Sequence, residues 1–222
     1  MSTQQLASLL TGVVPEGFSG TPFDGEAATL AFLVEARKRD AIARFDSAVP
    51  PTMRESDWGH AGMLLNRAQI ERVLAHEVGA KGLLLSGRTG RGKTRSMWAL
   101  MRRLAHDEAR DIRYFHASDW FSQLQACLSY GRDDARGWVD AVARRPIVFV
   151  DDLGQEAIQT ARSEWAMSWF MRFLDIRVSE RLPLYVTTNL DAQGIAERGA
   201  SSVRGDPMVR RLIEICEPVK FV

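Results

Sequence analysis

The sequence predicts an α/β protein: a parallel sheet covered by helices on both faces and built around a phosphate-binding loop. Three observations carry this expectation. The apolar run Gly82-Leu-Leu-Leu-Ser86 leads straight into Gly87-Arg-Thr-Gly-Arg-Gly-Lys-Thr94, which satisfies G-x-x-x-x-G-K-[ST] at every fixed position. Further short apolar runs at 112–116, 146–154 and 184–190 alternate with helical periodicities, the order that parallel sheets need for their crossovers. One of these runs, Pro146-Ile-Val-Phe-Val150, is continuously apolar, which marks a strand buried on both faces.

The elements follow in order. Residues 1–25 are rich in Gly, Ser, Thr and Pro and read as a loosely ordered arm. Residues 26–45 form a helix carrying the basic run Arg37-Lys-Arg39, which is either a solvated face or a nucleic-acid contact. The two prolines of Val49-Pro-Pro51 must end it. Residues 1–48 are therefore an N-terminal appendage and 49–222 the main domain. Leu64, Leu65, Ala68, Val73 and Leu74 fall on one face of a helix over 62–78. The loop opens a second helix, with Met97, Leu100, Met101 and Leu104 on one side. After strand 112–116 come helices at 118–130 and 134–144, divided by Gly131. Residues 162–180 are apolar on most faces, including Trp165, Trp169, Phe170, Phe173 and Ile176, so that helix should be largely buried. A last helix at 206–216 leads into a closing strand at 218–222.

Composition narrows the function. Hydrophobic content of 45% and charged content of 26% are ordinary for a soluble domain. Lys plus Arg (29) nearly balances Asp plus Glu (28), so any nucleic-acid binding requires a local patch. Arg102, Arg103, Arg132 and Arg136 are the candidates. Cys127 and Cys216 lack partners at zinc-ligand spacing and read as reduced, buried thiols of a cytoplasmic protein. No secretion signal is legible, and no run reaches the roughly 18 apolar residues of a membrane span.

The loop supplies the chemistry. Its glycines allow successive N–H groups to turn inward as an anion nest, and the following helix aims its positive end at the same phosphates. Gly87, Arg88, Thr89, Gly90, Arg91 and Gly92, with Lys93, Thr94 and Arg95 at the helix start, are the expected nucleotide contacts. Lys93 places a charge on the outer phosphates, and the Thr94 hydroxyl can ligate Mg²⁺. Asp151 and Asp152 end a buried strand, where parallel sheets bind their ligands. Asp151 suits the Mg²⁺ shell, directly or through water, and Asp152 suits polarising an attacking water. Strand 184–190 brings Thr187, Thr188 and Asn189 to the same edge, where an amide can orient water.

In this order, Gly87 to Thr94, Asp151-Asp-Leu-Gly154, Thr187-Thr-Asn-Leu190 and Arg210-Arg-Leu212 resemble the AAA+ ATPases of the DnaC/DnaI/IstB group, bacterial helicase loaders and transposition helpers. The resemblance runs over about 48–222 and includes Pro50-Pro51, Arg54, Trp58 and Ser163-Glu-Trp165. It implies a three-layer P-loop NTPase fold using ATP and Mg²⁺. Thr94 and Asp151 would serve the metal, Asp152 the catalytic acidic position, Asn189 the sensor, and Arg211 an arginine finger reaching a neighbouring subunit's ATP. In this group the helices after the second strand, here about 118–130, carry an element used for filament assembly and single-stranded DNA. Asp152 stands where most AAA+ proteins have Glu, which implies slow turnover.

The leading expectation is a nucleotide-dependent homo-oligomer that loads a replicative DnaB-type helicase onto single-stranded DNA. It would meet the helicase through residues 1–48, which lack the cysteine-rich zinc module of some loaders. The alternatives are an IstB-like transposition helper that recruits a transposase on duplex DNA, a P-loop kinase of small molecules, and a nucleotide-gated adaptor that hydrolyses almost nothing.

Overall fold

The computed structural model describes residues 26–54, 65–108, 110–154, 161–191, 193–195 and 202–222. The chain forms two compact units, Met1–Asp40 and Ala41–Val222, and the division falls within helix α1 (Glu26–Ala48). In the first unit Arg37 and Arg39 are exposed and Lys38 is half-buried. The predicted arm at 1–25 and Trp58 lie outside the described residues.

Among the described residues the second unit holds five strands: β1 (Gly82–Ser86), β2 (Ile112–His116), β3 (Ile147–Leu153), β4 (Leu184–Thr188) and β5 (Cys216–Lys220). All are parallel, in the order β2-β3-β4-β1-β5. Side chains alternate across the sheet, so each central strand feeds two cores. Leu83, Leu85, Phe149 and Tyr185 join one core. It is shared with α2 (Arg67–Leu74), α3 (Lys93–His106) and the end of α1 through Phe45 and Val49. Leu84, Val148, Val150 and Val186 join the other, with α4 (Ala117–Tyr130), α5 (Arg132–Ala143), α6 (Ala161–Ser179) and α7 (Ser202–Ile215). Trp98 anchors the first core against Phe45, Tyr114 and Phe149. Trp120 anchors the second against Trp138, Phe170 and Phe173.

Proline is involved at two of the boundaries that differ from expectation. The closing strand lies at Cys216–Lys220, two residues earlier than predicted, and pairs with β1 from Gly82↔Cys216 to Ser86↔Lys220. Pro218 is tolerated inside it because β5 is an edge strand and one side of its ladder needs no donor. Helix α7 begins at Ser202 and contains Pro207, whereas the sequence suggested a start at Asp206. Cys216 is buried as expected and Cys127 only half-buried; both are free thiols.

Helix α6 carries an arginine where the sequence suggests only apolar burial. Arg177 is completely buried and donates to the carbonyls of Ala143, Arg145, Pro146 and Pro183. Burial lowers its pKa to about 10. Its fan of donors satisfies the backbone between α5 and β3 and the turn before β4.

Candidate functional site

The site forms at the carboxyl ends of β1, β3 and β4. The loop after β1 turns because its glycines adopt backbones that other residues resist. Gly92 has φ 91° and is the N-cap of α3. Gly87 has φ 136° and runs so close to the Phe221 carbonyl that a side chain there would collide with it. The Phe221 N–H donates to Ser86 O at 2.7 Å, so the chain beyond β5 lies against the start of the loop.

Lys93 is buried, and its ammonium donates to Gly87 O at 2.7 Å, Arg88 O at 2.9 Å and Asn189 Oδ1 at 2.8 Å. Burial pushes its pKa down, against the opposing pull of Asp152 and Asp151. The Asn189 amide faces both ways, because its Nδ2 donates to Asp152 Oδ1 at 2.9 Å. Thr94 Oγ1 donates to Asp151 Oδ1 at 3.0 Å, and Thr187 donates to the same oxygen. Burial pushes the Asp151 carboxyl above the usual range, and these two hydrogen bonds oppose the shift.

Adjacent residues of a regular strand point to opposite faces, so a plain strand would separate Asp151 from Asp152. The pairing of β3 with β4 shifts register between Val150 and Leu153, and Asp152 adopts φ 62°. Its N–H donates to Thr187 Oγ1 at 2.9 Å. Asp is one of the few side chains that accept this left-handed conformation readily. The irregularity lets Asp151 stay beside Thr94 while Asp152 meets Asn189.

A cleft of about 340 Å³ results, lined by residues 89–95, Met53, Asp152 and Asn189. It joins backbone N–H groups at a helix N-terminus, a lysine charge, a hydroxyl–carboxylate pair and a second carboxylate. That donor set fits the phosphates of a nucleotide and a hydrated Mg²⁺, which ordinarily takes only one or two protein carboxylates beside substrate phosphate. Thr94 and Asp151 would hold the cation, which would supply charge neutralisation at the phosphates.

Arg211 does not line this cleft. It sits on α7, paired with Asp175 of α6 and donating to Pro207 O at 3.3 Å. Among the DNA candidates, Arg102 donates to Met53 O and Arg54 O, and Arg103 to Glu108 and His76 O. Both are therefore committed within the chain. Arg132 and Arg136 line a second cleft with Asp133, Trp169 and Arg172, where Asp140 holds Arg172 through both carboxylate oxygens at 2.7 Å.

Sequence reasoning missed several groups. His116, at the end of β2, places Nε2 3.9 Å from Asp152 Oδ2. Met53 lines the cleft, and Asp175 holds Arg211. Asn66 touches the loop from behind. None lies in a recognisable motif; only His116 carried a signal, as the last residue of an expected strand.

The strand order, the loop and the strand-end carboxylates give the chain a P-loop fold. Its fold is DnaC/DnaI-like. No family model and no curated protein matches the sequence. Among solved structures, the chain is similar to DnaI with a TM-score of 0.60 and 23% identity, over 79% of this chain and 95% of that one. A DnaC helicase loader aligns with a TM-score of 0.58 and 19% identity, over 78% and 100% of the two chains. The replication initiator DnaA bound to AMPPCP and single-stranded DNA gives 0.58 and 15%, over 78% of this chain and 51% of that one. Among the described residues, no helix is long and apolar enough to cross a membrane.

Proposed function

We propose that the chain binds and hydrolyses ATP with Mg²⁺ and, as a nucleotide-dependent homo-oligomer, loads a replicative DnaB-type helicase onto single-stranded DNA. The observation that carries the ATPase reading is the convergence of Lys93, Thr94, Asp152 and Asn189 on one cleft, with Asp151 bonded to Thr94. The fold shared with DnaI, a DnaC helicase loader and DnaA supports the choice of loader.

In this reading Lys93 exchanges the Asn189 and loop oxygens for phosphate oxygens. The released Asn189 amide then orients a water that Asp152 polarises. An attacking water gives up its proton toward Asp152 as its oxygen bonds to the terminal phosphorus, and ADP leaves. Arg211 serves a neighbouring subunit's ATP after parting from Asp175. Residues 1–48 serve as the helicase-binding region.

The test is ATP hydrolysis with and without single-stranded DNA, with particle mass measured beside a non-hydrolysable ATP analogue. DNA-stimulated turnover, a higher mass with the analogue and co-purification with a hexameric helicase support the reading. Co-purification with a transposase replaces the loader by a transposition helper. Monomeric turnover indifferent to DNA points to a small-molecule kinase. ATP binding without hydrolysis leaves a nucleotide-gated adaptor.

A further inference from the structure

Asn66 occupies the N-cap of α2, the position where an asparagine side chain ordinarily caps its own helix. Here it makes no capping hydrogen bond. The residue is buried, at 2% exposure, and its amide is used elsewhere. Nδ2 donates to the Arg91 carbonyl in the phosphate loop at 3.3 Å. Oδ1 accepts from the Val222 N–H at 3.0 Å, just beyond β5. One side chain thus joins the loop to the segment that already lies against the loop's first glycine through Phe221.

The consequence follows from peptide geometry. The Arg91 carbonyl and the Gly92 N–H belong to one planar trans unit and point in opposite directions. Holding the carbonyl on the Asn66 side therefore turns the Gly92 N–H to the opposite side of the loop. Gly92, at φ 91°, has the backbone freedom to flip this unit. A flipped unit would present a carbonyl to phosphate oxygens in place of a donor.

We infer that Asn66 is a positioning residue for nucleotide phosphate, a clamp that holds the 91–92 peptide of the loop in its anion-receptive orientation. The inference rests on the proposed nucleotide site and deepens it: loop geometry is held from behind by an element the loop motif does not contain. The clamp has two arms, and each can be cut alone. Asn66→Asp keeps an acceptor for the Val222 N–H but sets a second acceptor against the Arg91 carbonyl. Val222→Pro removes the N–H that steadies the Asn66 amide, leaves the donor to the loop in place, and alters a side chain that is 71% exposed.

The experiment is calorimetric titration of Mg·ATP into wild type and both variants, with circular dichroism and melting temperature recorded without nucleotide. Asn66→Asp should weaken ATP binding about tenfold, which corresponds to about 1.4 kcal/mol, at a temperature where the variant is fully folded. Val222→Pro should weaken it less, in the same direction. Should Asn66→Asp fail to fold, Val222→Pro decides alone. Variants that bind ATP within twofold of wild type, whatever their melting temperatures, overturn the clamp and leave the nucleotide site standing. A folded wild type that binds no ATP overturns the nucleotide site and the clamp together.

Discussion

Lys93 donates to three oxygens, one of them from Asn189, and under the proposed function phosphate takes the place of that one. Lys93→Ala removes a charge-assisted contact worth about 1.5–3 kcal/mol, or about one to two decades in Kd. The folded variant should lose tight ATP binding, measurable by titration; wild-type affinity would overturn the assignment. Asp152→Asn tests the neighbouring function. An asparagine can still present an oxygen to the Asn189 Nδ2 that now bonds Asp152, so local geometry should survive. It cannot take a proton, and general-base losses run to about 10²–10⁴-fold. ATP should bind as in wild type while turnover falls by that order. Asp151 differs from both, since burial raises its pKa. The folded state therefore favours the protonated carboxyl more than the unfolded chain does, and this group's contribution to stability is lost as pH rises through its folded pKa. Asp151→Asn should raise the melting temperature without nucleotide while removing Mg²⁺-dependent hydrolysis.

At the scale of elements, the most consequential contact is made by an arginine inside a helix. Arg177 of α6 reaches the backbone where α5 passes into β3 and where the chain enters β4. Those two strands deliver Asp151, Asp152, Thr187 and Thr188. Each buried carbonyl left without a donor costs about 1–3 kcal/mol. Arg177→Met, close in length and apolar, should therefore destabilise the domain by about 3 kcal/mol or more. Urea unfolding should show a lower midpoint with an unchanged slope. An unchanged midpoint would mean that water replaces the guanidinium.

At the scale of the whole molecule, Arg211 asks whether the single chain is the working unit. It lies off its own cleft and is paired with Asp175, a half-exposed contact that a stronger partner can replace. An arginine supplied in trans is worth about 10³–10⁵ in rate among P-loop enzymes. If Arg211 acts in trans, Arg211→Ala keeps its loop and lacks the finger, whereas Lys93→Ala keeps the finger and lacks a working loop. Each should be inactive alone. Mixed, some interfaces would join an intact loop to an intact finger, and partial ATPase activity should return. A mixture that co-assembles and stays inactive would remove Arg211 from trans catalysis.

The loop, the strand ends and the α/β alternation were legible in the sequence because each is a local pattern. Glycine spacing specifies a turn, a run such as Ile147 to Val150 specifies a doubly buried strand, and a strand end specifies an edge of the sheet. Lys93, Thr94, Asp151, Asp152 and Asn189 could be named as partners on that basis alone. What the sequence could not convey was how they meet. The register shift between β3 and β4 and the left-handed backbone at Asp152 arise from pairing between strands far apart in the chain. Pro218 inside a strand became acceptable only because β5 is an edge. Asn66 and Arg177 carry no motif, since their partners are backbone carbonyls and amides, which every residue possesses. Which of those groups lies buried and in need of a partner is decided by packing, and packing exists only in the folded chain.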